Sequence, residues 1–160
     1  MSSCVFPGSF DPVTRGHMDL IRRASKMFDR VTVTVMVNIH KRGTLSPEKR
    51  ADLLRRACAG LPNVRVEIWS GLLADYLQET GEKCVLRGVR SAGEADAELI
   101  AASANRMLNP EMETLLMPAS DGLACVSSSA VREIAAFGGN ILPFVPEEIA
   151  EEIASLLANH

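Results

Sequence analysis

The sequence predicts an α/β fold, a doubly wound five-stranded parallel sheet in a single domain spanning residues 1–160. Three observations predict it. Apolar, β-branched runs alternate with stretches of helical period in the order β-α-β-α-β-α-β-α-β-α-α. That alternation calls for parallel strands joined by helical crossovers, with helices covering both faces. The chain has 160 residues, 47% hydrophobic and 23% charged. A domain near this size buries roughly 70% of its unfolded surface and needs no disulfide or metal to hold it.

Each element has its own cause. Ser3–Phe6 reads as a short strand broken at Pro7-Gly8. His17, Leu20, Ile21, Ala24 and Met27/Phe28 then recur at helical spacing. Val31–Val37 (VTVTVMV) is a buried strand. Ser46 caps the next helix, and Pro47 is pre-organised for its first position. Leu53, Leu54, Ala57 and Cys58 form its apolar face, and Gly60 ends it. Val64–Ile68 is the third strand, and Leu72–Thr80 a short helix closed by Gly81. Lys83–Leu86 is the fourth strand, Ala95–Leu108 a helix ending before Asn109-Pro110, and Thr114–Met117 the fifth strand. Ser127–Phe137 and Pro146–Leu157 are the last helices. The architecture is Rossmann-like, and such sheets bind ligands beyond the carboxyl ends of their strands.

Composition removes several function classes. Lys plus Arg is 17 and Asp plus Glu is 20, a net charge of 17 − 20 = −3. An acidic balance argues against a nucleic-acid surface, which needs a basic field. Five Phe, one Trp and one Tyr are too few for a base-stacking module. Cys4, Cys58, Cys84 and Cys125 form no C-x-x-C pair and are expected as buried, reduced thiols. No signal peptide and no apolar run of roughly 20 residues is present, so a cytoplasmic protein with no membrane contact is expected. No residue cluster has metal-ligand spacing, so no metal held by the chain itself is expected.

The unusual chemistry gathers just after four strands. Phe6 to His17 (FPGSFDPVTRGH) follows strand one and opens a helix. Gly8 clears space for a ligand, and Ser9 offers an N–H and a hydroxyl to an anion. His17 stands at a helix start, where free N–H groups favour phosphate. Asp11 is expected to hold its own turn by an Asx-type bond. Asn38 to Gly43 (NIHKRG) follows strand two and contributes Lys41; His40 is expected to be exposed. Arg87-Gly88-Val89-Arg90 follows strand four and suits bidentate phosphate binding, with Gly88 permitting a sharp exit. Ser127-Ser128-Ser129 offers one cap and two further hydroxyls at a helix start. Glu147, Glu148, Glu151 and Glu152 read as a solvated charge cluster complementing a helix dipole.

Together these residues resemble the phosphopantetheine adenylyltransferase family. The run P-G-S-F-D-P-x-T-x-G-H is the signature of nucleotidyltransferases with a T/H-x-G-H motif; R-G-x-R, Lys41, N-R-x-L (Asn105 to Leu108) and S-S-S narrow the choice. The resemblance runs from about Val5 to the final helix. It implies transfer of AMP from ATP to 4′-phosphopantetheine, giving dephospho-coenzyme A and pyrophosphate. It implies Mg²⁺ arriving with ATP, a homohexamer, and feedback binding of coenzyme A. By the same resemblance His17 stabilises the transition state at the α-phosphate, and Lys41 and Arg87 hold the acceptor phosphate. Ser9 touches both substrates, and Leu73 lines the pantetheine channel. Phe10, Gly88, Val89, Arg90, Glu98 and the run Leu123, Ala124, Cys125, Val126, Ser127, Ser128 and Ser129 bind ATP. Where relatives often carry aromatic residues, this chain has Ala95, Ala97 and Leu123–Cys125, so an adenine site of aliphatic side chains is expected.

The rival readings are a related enzyme acting on another phosphate, such as nicotinamide mononucleotide, and a non-catalytic nucleotide-binding regulator. Nicotinamide-type enzymes are expected to carry S-S-T, and the full set of phosphate-handling residues counts against a degenerate regulator.

Overall fold

The computed structural model describes Met1–His160. Five strands, β1 (Ser3–Gly8), β2 (Arg30–Val37), β3 (Val64–Ser70), β4 (Cys84–Val89) and β5 (Glu113–Pro118), form one parallel sheet in the order β3-β2-β1-β4-β5. Helices α1 (Arg15–Met27), α2 (Pro47–Ala57), α3 (Leu73–Thr80), α4 (Ala92–Leu108), α5 (Ser128–Ala136) and α6 (Ala150–Ala158) connect and flank them.

The larger core packs α1, α2, α5 and α6 against one face, meeting Cys4, Phe6, Val31, Val33, Val35 and Leu86. Side chains alternate along a strand. Val5 and Val85 therefore face the other way, into a small cluster with Ala74, Tyr76 and Leu77 of α3. Helix α4 buries none of its residues.

The expected elements are all present, with differences at their ends. Strand β1 runs on through Pro7-Gly8, pairing there with Thr34 and Val35 of β2. On its other side it pairs with β4 at Val5↔Val85. Pro7 has no N–H to give a ladder; instead the Arg87 side chain donates to its carbonyl at 2.6 Å. Helix α4 begins at Ala92 because Ser91 caps it, accepting the Glu94 N–H. Gly81 closes α3 in a left-handed conformation, φ 75°. The last expected helix divides into a 3-10 turn, Glu147–Ile149, and α6; the tighter turn places Ile149 in the core.

Two further expectations need correction. Glu152 is not simply solvated: it receives hydrogen bonds from Arg56 and Lys49, tying α6 to α2. Cys125 is exposed and Cys84 only half-buried, against the expected burial of all four; all four cysteines are free. Burial pushes the Cys4 thiol up to about 12 and the Cys58 thiol up to about 11, so both stay protonated at neutral pH. No helix is long and apolar enough to cross a membrane.

Candidate active site

The chain leaves β1 to build β2 and β3 on one side, then crosses back to β4 on the other. This reversal opens a crevice between the carboxyl ends of β1 and β4. A cleft of about 330 Å³ lies there, walled by Pro7–Phe10, His17, Arg87–Arg90 and Ser127–Ser129. A second cleft, about 470 Å³, adjoins it and takes in Met36, Leu73, Ala101, Ala102 and Asn105. Both share Pro7, Gly8, Ser9, Arg87, Ala97 and Glu98.

His17 is the third residue of α1 and completes a capping box. Its N–H bonds the Thr14 hydroxyl, and the Thr14 N–H donates to His17 Nδ1 at 3.1 Å. A backbone N–H can only donate, so Nδ1 is an acceptor and Nε2 carries the proton. The ring packs edge-on against Phe10, with centroids 4.8 Å apart. Burial first, and then the positive charges of Arg87 and Arg90, together lower its pKa to about 4. The site therefore holds a neutral imidazole that offers one N–H.

Ser127 is the cap of α5, accepting the Ala130 N–H at 3.1 Å. Ser128 Oγ donates to the Pro12 carbonyl at 2.7 Å, and Ser129 Oγ accepts from Arg132 at 3.3 Å. Only Ser128 spends its hydroxyl proton within the protein; Ser127 and Ser129 act as acceptors and keep an O–H to donate. The N–H groups of Ser128 and Ser129 have no protein acceptor and remain available at the helix start.

Arg87 is bound bidentately by Glu98, through Nε at 2.9 Å and Nη2 at 2.7 Å. A guanidinium has five N–H donors; Glu98 takes two and Pro7 one, which leaves two for a ligand. Arg90 is held by Glu94, four residues on, and reaches the Val126 carbonyl at 3.4 Å. The cleft's carboxylates therefore orient its arginines. No group of three or more His, Cys, Asp or Glu stands together to hold a metal.

Gly88 does not make a sharp exit. It continues β4 opposite Met117, and an added Cβ would overlap Leu20 of α1. Gly8 lines both clefts and also leaves room for the Phe10 ring, 3.1 Å from where a Cβ would stand. Asp11 makes no local Asx bond; its carboxylate accepts the N–H groups of Thr44 and Leu45, each at 2.8 Å.

Residues 5–134 match the cytidylyltransferase-like family model. A phosphopantetheine adenylyltransferase of Deinococcus radiodurans is 49% identical over 146 residues, covering 90% of this chain and 87% of its own. That of Clostridium tetani is 43% identical over 153 residues, covering 96% of each chain. The chain belongs to the phosphopantetheine adenylyltransferase family. It is a nucleotidyltransferase. Its fold is shared more distantly by a putative nicotinate-nucleotide adenylyltransferase from Vibrio parahaemolyticus, TM-score 0.65 at 17% identity over 99% of this chain and 93% of the other. A Plasmodium falciparum nicotinic acid mononucleotide adenylyltransferase matches with TM-score 0.67 at 12% identity, covering 98% and 94%.

Most residues implied by membership of the phosphopantetheine adenylyltransferase family meet at the two clefts. Phe10, His17, Gly88, Val89, Arg90, Leu123, Val126 and Ser127–Ser129 line the first, Leu73 the second, and Ser9, Arg87 and Glu98 both. Lys41, Ala124 and Cys125 are exposed and line neither. Glu98, expected on the nucleotide, lines both clefts and has its carboxylate on Arg87. His40 is exposed, as expected. Ala97 lines both clefts and Ala95 lines neither. Sequence reasoning missed Thr14 and Glu94. Both had a signal: Thr14 precedes His17 by three residues, a capping-box spacing, and Glu94 follows Arg90 by four.

Proposed function

We propose that this chain transfers the adenylyl group of ATP to the phosphate of 4′-phosphopantetheine, giving dephospho-coenzyme A and pyrophosphate in coenzyme A biosynthesis. One observation carries the reading: the two clefts meet at a shared wall of Ser9 and Arg87. A nucleotide in the first and a phosphorylated arm in the second would bring two phosphates to the same cation. The second cleft's apolar Leu73 and Met36 suit a pantetheine arm.

The acceptor is a phosphate monoester whose second pKa is about 6. It is ionised at neutral pH, and no general base is required. One of its oxygens attacks the α-phosphorus of ATP, forming a P–O bond. The bond from that phosphorus to the bridging oxygen of the β-phosphate breaks, and pyrophosphate leaves with the electron pair. Catalysis is alignment and stabilisation of charge. His17 donates from Nε2 to an α-phosphate oxygen. Ser9, Lys41 and Arg87 hold the acceptor phosphate. Phe10, Gly88–Arg90 and Leu123–Ser129 form the nucleotide site, and Ser128 and Ser129 offer it backbone N–H groups. Because Lys41 stands outside the clefts of the free protein, its part requires the side chain to swing in with the acceptor.

The chain's donor set does not form a magnesium site, since Glu94 and Glu98 are each engaged by an arginine. Magnesium would come with the phosphates of ATP, and no step above runs through it. The cytoplasm is the compartment for this chemistry. A homohexamer is supported by α4, which leaves Leu99, Ile100, Met107 and Leu108 uncovered on the thin side of the sheet. Coenzyme A, sharing the product's body, would return to the same clefts as a feedback ligand.

Pyrophosphate release from ATP with a panel of acceptors tests the reaction. Turnover with 4′-phosphopantetheine and not with nicotinamide mononucleotide is expected. Turnover with the mononucleotide alone, or nucleotide binding without turnover, overturns it.

A further inference from the structure

Behind the Ser9–Phe10 turn lie two buried charged side chains, joined by no salt bridge, that the chemistry of the proposed reaction does not use. Asp11 is 7% exposed and Arg50 is 6% exposed. The Asp11 carboxylate accepts the N–H groups of Thr44 and Leu45, on the loop between β2 and α2. Arg50, in the first turn of α2, donates from Nε to the Leu45 carbonyl at 3.1 Å and from Nη1 to the Ser9 carbonyl at 2.9 Å. Gly43 is seated between them. A Cβ there would stand 3.1 Å from Asp11 Oδ2, 3.2 Å from the Leu45 carbonyl and 3.3 Å from Arg50 Nη2. Arg132 holds the Asp11 carbonyl from the other side, at 2.7 Å.

Burying a carboxylate and a guanidinium is unfavourable unless both are fully partnered. Here the partners are backbone groups of two different loops. One loop is the turn shared by the clefts, with Phe10 at φ 49°, a conformation unusual for a residue with a side chain. The other carries Lys41, two residues before Gly43. The lysine amine sits on a flexible stem, so where it can reach depends on where its loop is fixed.

We propose that Asp11 and Arg50 are positioning residues: they lock the β2–α2 loop onto the Ser9–Phe10 turn and so set the reach of Lys41 to the acceptor phosphate. This rests on the reading above that Lys41 holds that phosphate. A misplacement of about 1 Å by a distant change can cost roughly a hundredfold in rate. Asp11→Asn puts an NH₂ group against one of the two N–H donors it must satisfy, and should release the loop.

The test is a double-mutant cycle between Asp11→Asn and Lys41→Ala, reading kcat, KM for 4′-phosphopantetheine and KM for ATP, with melting temperature as the check on folding. Asp11→Asn should lower kcat/KM for the acceptor by about ten- to a hundredfold with KM for ATP unchanged. In the Lys41→Ala background it should add less than about twofold, because one route is lost only once. Gly43→Ala keeps both charges and wedges the loop off them; it should behave in the same way and serves if Asp11→Asn does not fold. Wild-type rates in either loop variant overturn the proposal, as do losses that multiply with Lys41→Ala. A wild-type rate in Lys41→Ala alone overturns the lysine's role, and the clamp's purpose with it; multiplying losses leave that role standing and remove only the clamp.

Discussion

Replacing His17 separates its two attachments. The ring accepts the Thr14 N–H at Nδ1 and presents Nε2–H to the cleft. The first bond is part of a helix cap, and losing a cap costs about 1 kcal/mol, which for a chain this long lowers the melting temperature by roughly 2–4 °C. The second is a donor aimed at developing charge, and losing such a donor costs about 2.7–4 kcal/mol, or roughly 10²–10³ in kcat. His17→Ala should show both losses. His17→Gln should show one, because Gln is a normal third residue of a capping box and restores the bond to Thr14. Steady-state pyrophosphate release and thermal melting of the two variants supply the measurement. KM for ATP should move little, since the interaction is made mainly in the transition state. The pH profile adds an independent check. With a pKa lowered to about 4 by burial and by Arg87 and Arg90, His17 is neutral throughout the working range. The rise in rate with pH should follow the acceptor phosphate, about pH 6, and persist in His17→Gln. Normal kcat with only weaker ATP binding would refute the reasoning, as would a pH profile that loses its inflection with the imidazole.

Three other outcomes are expected. His17 also makes the free protein acid-sensitive: unfolded it binds a proton near 6.5 and folded only near 4, so its contribution is intact above about pH 6.5 and falls away as the pH drops toward 4. At about 1.36 kcal/mol per unit this is on the order of 3 kcal/mol, and urea unfolding of His17→Gln should show a flatter dependence there. Gly88→Ala drives a methyl into Leu20, costing about 1–3 kcal/mol by overpacking; in a Leu20→Ala background, itself destabilised by about 2–5 kcal/mol, the added methyl should cost clearly less, a non-additivity that urea unfolding reads. Ile100→Glu, on the uncovered face of α4 at 72% exposure, should shift sedimentation toward smaller species while leaving the monomer's melting cooperative; an unchanged assembly excludes this face as an interface.

The order of elements was legible because the strands are short apolar runs, β-branched most of all in β2, set between stretches of helical spacing, which are local properties of the chain. Strand ends were not. Pro7-Gly8 reads as a break, yet β1 continues through it because β2 pairs with both residues, Pro7↔Thr34 and Gly8↔Val35, a partner that lies outside the local sequence. The position of the site was legible too, since a reversal of strand order puts the ends of β1 and β4 side by side. Partnerships were hidden. The helical period sets Arg50 on the same face as Leu53, Leu54 and Ala57 and leaves Arg55 off it, but it does not name the partner; only the fold brings the Ser9 carbonyl to Arg50. Glu98 was legible as a site residue but not in its role, which depends on Arg87 facing it across the β4–α4 turn.

That pairing explains how an acidic chain assembles a site for two polyanions. Lone arginines beside His17 would repel one another and meet each incoming phosphate in an undefined posture. Glu98 and Glu94 hold Arg87 and Arg90 in fixed planes, so little side-chain freedom remains to be lost when substrate arrives. The remaining donors of Arg87 belong to the wall, shared with Ser9, where the two clefts meet. The overall charge of −3 and a cationic reaction centre are compatible for this reason: the carboxylates that lower the net charge include those that orient the cations.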